Sequence, residues 1–261
     1  MVAFLCVIVA LSGGQPVALR CEHRVDPIGL DVAVPRFSWR LDAGERDPGS
    51  GVSQSSYRIL VATDPAVLAL DGADVWDSGR IATDATTEID YAGSPLAPHE
   101  ALVWKVMAWD QDERASPWSP LAHFSTGPIV RGGGDGREGT KSAATIGSWP
   151  GEWIGFDSGE SAALLRTGFD VERPLARATA YVTALGVADL HLNGARVGDD
   201  CFTPGWTDYR KRVHWRAFDV TGRMRPGRNV VGLELAAGWF AGHISASRNI
   251  RNAGAGPVSS A

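Results

Sequence analysis

The sequence predicts an all-β chain of two tandem β-sandwiches joined by a Gly-rich linker. Three observations predict it. Gly 31 and Pro 15 punctuate the 261 residues densely, as a chain of many turns requires. Short runs that alternate apolar and polar residues recur between the turns, the period of a strand with one buried face. Apolar residues at helical spacing are nowhere sustained, so neither a helical bundle nor a strand–helix alternation fits.

Composition narrows the function classes. A hydrophobic content of 44% and a charged content of 21% are those of a globular protein, and the length suffices for two domains. The net charge of −5 comes without a basic stripe, which argues against nucleic acid as a partner. Three cysteines, Cys6, Cys21 and Cys201, are too few and too widely spaced for a disulfide framework or a zinc site. Trp is abundant at 10, more than cores alone demand, and surplus Trp is common where sugar rings are stacked.

Residues 1–16 hold the apolar run Val2–Leu11 (VAFLCVIVAL), too short to cross a bilayer as a helix. Its length suits a signal peptide, with Ser12-Gly13-Gly14 for cleavage, although no Lys or Arg precedes it. With that leader acting as a signal the product is extracellular or periplasmic; otherwise it is cytoplasmic. No membrane span is expected.

Residues 17–128 read as the first sandwich. Phe37, Trp39 and Leu41 share one face of a strand, Tyr57–Ala62 (YRILVA) forms another, and Val75–Gly79 a short edge. Leu102, Trp104, Val106 and Ala108 line one side of Leu102–Trp109, and Phe124–Gly127 ends the set. About seven short strands in roughly a hundred residues indicate an immunoglobulin-like or fibronectin type III-like sandwich. Trp39, Trp104 and Trp109 are then core or flank residues, and Asp110–Arg114 a solvated hairpin loop. Residues 129–146 form the linker, for Arg131–Thr145 (RGGGDGREGTKSAAT) has too little apolar surface to order itself. Its Gly triplet lacks the Gly-Lys-Ser/Thr of a phosphate loop.

Residues 147–243 read as a second, jelly-roll-like sandwich, with strands at Leu164–Val171, Ala178–Ala184, Val213–Phe218 and through Val231, Leu233 and Leu235. A jelly roll needs further strands to close, so this sandwich is expected to be incomplete. Residues 244–261 read as a disordered tail.

The chemistry concentrates in Leu185–Tyr209 (LGVADLHLNGARVGDDCFTPGWTDY). Ala188, Leu190 and Leu192 alternate with Val187, Asp189 and His191, and Asn193-Gly194 is the strongest short signal for a type I′ hairpin turn. Beyond the return strand, Asp199, Asp200, Trp206, Asp208 and Tyr209 crowd one loop. Carboxylates accept from sugar hydroxyls and flat rings pack on a pyranose C–H face. The alternative is a tight turn whose Asp residues cap backbone N–H groups and whose Trp fills a core gap. Glu152, Asp199 and Asp200 do not make a hydrolase, because adjacent Asp199 and Asp200 point to opposite sides of an extended chain. No calcium-loop spacing is present, so no metal and no cofactor is expected.

Two stretches resemble the N-terminal part of bacterial α-L-rhamnosidases. The first is Leu19-Arg20-Cys21-Glu22 with Asp26–Leu30, Pro35–Trp39, Gln54–Tyr57 and Val75–Gly79, continued by Trp104–Trp109, Ser116–Ser119 and Phe124–Gly127. The second runs from Gly186 through Leu192-Asn193-Gly194, Val197-Gly198-Asp199, Pro204–Tyr209, Arg212 and Phe218–Thr221 to Gly238-Trp239-Phe240. The resemblance implies a fibronectin type III-like module followed by a sandwich that assists substrate recognition. It implies a rhamnose-containing glycan or glycoside as partner, and an (α/α)6 barrel, separate or downstream, that carries two glutamates for inverting hydrolysis. No barrel pattern occurs here, so no catalytic residue is carried over and the chain alone is expected to be inactive. The residues expected to meet sugar are Trp206 by stacking and Asp199, Asp208 and Tyr209 by polar contact, with Asn193 and Trp239 behind them. The alternative function is a structural or protein-docking module without sugar binding.

Overall fold

Alternation decides which side chains each strand buries, and the strands are where the alternation lies. A computed structural model of the chain describes residues 14–42, 52–131, 146–147, 149, 151–155, 162–209 and 211–241. The apolar leader at Val2–Leu11, the middle of the Gly-rich stretch and the tail from Ser245 lie outside the described residues. The chain divides into two compact units, Met1–Pro150 and Gly151–Ala261.

The first unit contains β1 (Gln15–Cys21), β2 (Leu30–Val32), β3 (Arg36–Asp42), β4 (Gln54–Ala62), α1 (Pro65–Ala69), β5 (Trp76–Asp77), β6 (Ile81–Ala82), β7 (Ile89–Asp90), β8 (Ala101–Asp110), β9 (Ala122–Arg131) and β10 (Ile146–Gly147). One sheet has the order β1-β3-β7 and the other β10-β9-β8-β4-β5, with β2 on β9 and β6 on β4. Phe37 and Trp39 from β3 are buried with Ile59, Val61, Leu102, Trp104, Val106 and Phe124 of the opposite sheet. The Phe37 ring lies 4.5 Å from Trp104 and 5.7 Å edge-on to Phe124, and such pairing adds to the burial term. Trp39 Nε1 donates to Gln54 Oε1 at 3.0 Å, and Gln54 Nε2 donates to the Thr83 and Ala85 carbonyls, so both buried polar groups are satisfied. Buried Cys21 keeps its thiol protonated, because desolvation pushes its pKa far up and the Glu22 charge adds to this.

Three features go beyond the alternation pattern. The far face of β4 and β8 is also covered: Leu60, Ala62 and Val103 pack on Leu68 of α1. Lys105 is buried there, its Nζ donating to the Leu68 carbonyl and to Asp71 Oδ1 at 2.5 Å each, 4.3 Å from the Trp118 ring centroid. Asp110, expected in a solvated loop, is buried, and its Oδ1 accepts from the Asp112 and Arg114 amides at 2.9 Å; the Asp caps its own hairpin. Of the Trp residues assigned to core or flank, Trp39 and Trp104 are buried and Trp109 is half-buried under the Arg80 guanidinium. β9 runs on through Arg131, and Ile146-Gly147 returns to pair with it.

The second unit contains β11 (Ala162–Val171), β12 (Thr179–Thr183), β13 (Val187–Leu192), β14 (Ala195–Arg196), β15 (Trp215–Asp219), a 3-10 turn (Thr221–Arg223), β16 (Gly227–Ala236) and α2 (Gly238–Ala241). Its sheets are β11-β16-β13-β14 and β12-β15. Leu190, Leu192, Val231, Leu233 and Phe169 of the first meet Ala180, Val182 and Phe218 of the second. β13 buries Ala188, Leu190 and Leu192 and leaves Val187, Asp189 and His191 half-exposed, as the period of two requires. Asn193 (φ 52°) and Gly194 (φ 84°) both adopt positive φ at the turn, the signature of a type I′ hairpin. Gly186 has φ 119°, and a Cβ there would lie 2.3 Å from the Ala236 carbonyl oxygen.

Candidate functional site

The loop from Val197 to Tyr209 is irregular, so its shape comes from side-chain hydrogen bonds rather than a ladder. Arg196 at the end of β14 holds its entrance. The guanidinium donates to both Asp189 oxygens at 2.9 and 3.2 Å, to the Gly198 carbonyl at 3.0 Å and to the Asp200 carbonyl. The hydrogen bonds to Asp189, aided by that carboxylate's charge and opposed by desolvation, raise the Arg196 pKa further above its ordinary value. The Val197 amide donates to the Leu190 carbonyl at 2.8 Å. Further on, the Ala188 amide donates to the Thr203 carbonyl at 2.8 Å and the Thr203 hydroxyl donates to the Ala188 carbonyl. Thr203 and Pro204 are buried. The first half of the loop is thereby pinned to β13, at Val197 and at Thr203.

Between and beyond those pins the predicted residues separate. Trp206 is 56% exposed, which removes the alternative of a Trp filling a core gap. Asp199 and Asp208 are exposed. The Asp208 carbonyl accepts from the Lys211 and Arg212 amides at 2.8 and 3.0 Å, and its carboxylate lies 3.6 Å from Lys211 Nζ. Tyr209 turns inward: its ring lies 5.4 Å edge-on to Phe240 of α2. Its hydroxyl is buried without a hydrogen-bond partner among the described residues, and burial pushes its pKa up. Trp239 of α2 packs at 5.6 Å against Phe202. Asn193 is a fastener of the turn. Its Nδ2 donates to the Arg223 carbonyl and to Asn229 Oδ1 at 2.9 Å, and its Oδ1 accepts from the Val230 amide at 2.9 Å.

Sequence reasoning missed Phe202. It is 65% exposed with φ 56°, and nothing in Asp199–Pro204 (DDCFTP) distinguishes it by period. Cys201 beside it is free and exposed. Asp200 reaches back, its Oδ2 being 3.8 Å from Arg216 Nε. Among the described residues no group of three or more His, Cys, Asp or Glu side chains could hold a metal ion, and no helix is long and apolar enough to cross a membrane.

The strands and this loop define a protein made of tandem β-sandwich modules, all-β in class. Its family follows from comparison. Residues 16–130 match the Rha78A-like, N-terminal immunoglobulin domain, and residues 173–259 match the α-L-rhamnosidase N-terminal domain. The chain thus carries, in order, two N-terminal domains of the α-L-rhamnosidases. An α-L-rhamnosidase of Formosa agariphila is 34% identical over 84% of this chain and 23% of its own length. One of Alteromonas sp. (strain LOR) is 33% identical over 93% of this chain and 27% of its own length. The chain therefore spans about a quarter of the length of these curated relatives. Among solved structures, α-L-rhamnosidase from Dictyoglumus thermophilum superposes with a TM-score of 0.69 at 29% identity, covering 86% of this chain and 25% of that one. Streptomyces avermitilis α-L-rhamnosidase complexed with L-rhamnose gives a TM-score of 0.71 at 23% identity, covering 89% of this chain and 37% of that one, and shares the fold.

Proposed function

We propose that this chain is a substrate-recognition segment of an α-L-rhamnosidase, one that holds rhamnose-containing glycans while an (α/α)6 barrel, separate or downstream, breaks the bond. The observation that carries the reading is the exposed Trp206 side chain, three residues past the point where Thr203 ties the loop to β13. An aromatic ring standing in water keeps its apolar face without cover, and the C–H face of a pyranose is a fitting cover. Asp199 and Asp208, exposed on the same loop, accept from the hydroxyls at the ring edge. Tyr209 and Trp239 act behind the surface by packing loop and α2 together, and Asn193 fastens the neighbouring hairpin turn. If the apolar leader acts as an export signal, this recognition takes place outside the cytoplasm; otherwise it takes place inside.

Isothermal titration with L-rhamnose tests the reading. One stacked ring and a few exposed hydrogen bonds support weak binding, with Kd on the order of 1 mM. Trp206→Ala is expected to abolish the heat while leaving the circular dichroism spectrum unchanged. No heat from the unaltered chain at about tens of millimolar sugar refutes sugar recognition.

A further inference from the structure

We infer that Phe202 is a second stacking platform on the Trp206 loop, so that the site takes a glycan of two or more sugar units. The inference rests on the sugar-recognition reading of that loop. Phe202 is 65% exposed and Trp206, four residues on, is 56% exposed, so one loop carries two uncovered aromatic side chains, with Asp199, Asp200 and Asp208 also exposed on it.

The backbone at Phe202 adds an independent sign. Its φ of 56° lies in the left-handed region, where a bulky side chain is an outlier and glycine is the ordinary occupant. Such a conformation persists only where neighbouring structure imposes it, and imposed strain gathers at binding sites. Here the neighbours do impose it. Arg196 grips the Asp200 carbonyl on one side, and Thr203 is tied to Ala188 on the other. The ring itself is steadied by Trp239 at 5.6 Å and 63°. An aromatic so fixed loses little conformational freedom when a ligand settles on it.

Reach and charge choose the ligand. Phe202 and Trp206 are four residues apart, so their Cα atoms are separated by at most about 15 Å, within the span of a short oligosaccharide. The exposed Asp199, Asp200 and Asp208 carboxylates on this loop, two of them near Arg216 and Lys211, would lose their water under an apolar peptide or lipid. A neutral polyol instead brings hydroxyl donors to them and C–H faces to the rings.

The test is isothermal titration of the full chain with L-rhamnose and with a rhamnose-terminated trisaccharide. The unaltered chain is expected to bind the trisaccharide about tenfold more tightly. Phe202→Ala should lose that tenfold preference while keeping the monosaccharide affinity within about twofold, and Phe202→Tyr should retain it. Trp206→Ala should weaken both ligands. Equal weakening of both ligands by Phe202→Ala, or no length preference in the unaltered chain, overturns the second platform and leaves the Trp206 reading standing. Failure of both sugars to bind the unaltered chain removes both.

Discussion

Asn193 shows how one side chain does the work of a cap and a clasp. Its amide bridges the Arg223 carbonyl, Asn229 and the Val230 amide, while its backbone tolerates φ 52°. Replacing it with Ala loses three hydrogen bonds, one of them partly buried, and adds left-handed strain, a cost of about 1–3 kcal/mol. Urea denaturation of Asn193→Ala should show that loss. Glu22 gives the pH counterpart. Hydrogen bonds from the Arg36 side chain hold its pKa below the ordinary Glu value, with the Arg36 amide adding to them against the opposing effect of burial. A carboxyl lowered on folding contributes stability above its unfolded pKa and loses it as pH falls through the folded one. Melting temperature should therefore drop below about pH 4, and Arg36→Met should flatten that drop. The Asn193-Gly194 turn was readable because type I′ geometry demands those residues. Phe202 was not, because a left-handed Phe is imposed by Arg196 and Thr203 through contacts no local pattern records.

At the scale of elements, β13 is the frame on which the loop hangs, and Gly186 sets where β13 begins. The Ala236 carbonyl lies where its Cβ would be, and φ is 119°. Gly186→Ala must push β13 from the end of β16, which costs about 3 kcal/mol or more. A midpoint in denaturant unchanged by Gly186→Ala contradicts that close approach. The period of two announced the buried face of β13 and the Phe37, Trp39 and Trp104 core, since one-sided burial writes itself into alternation. It was silent where both faces are covered. β8 buries Val103 and Lys105 on the side away from Trp104, and Lys105 is tolerated only because Leu68, Asp71 and Trp118 gather around its ammonium group. Those partners come from segments distant in sequence, so the composition of β8 alone could not disclose them.

Taken whole, the chain has two cores of unequal depth. In the first unit Phe37, Trp104, Ile59, Leu60, Val61, Leu68 and Val106 are fully buried. The second unit's cluster has Leu190, Leu192, Val197 and Val220 as its buried members, with the rest partly covered. Local opening follows burial, so native-state hydrogen exchange should find the amides of β4 and β8 slower than those of β11, whose edge carries Leu164 at 81% exposure. Equal protection of β11 and β8 contradicts this ordering. The thiols divide in the same way. Cys21 is sealed in the deep core with its thiol held protonated, while Cys201 is an exposed, unbridged thiol next to Phe202. In a Cys6→Ser background, a maleimide dye would therefore attach at a single position, one residue from the exposed Phe202. A change in that dye's emission on adding L-rhamnose would give the proposed sugar site an optical readout.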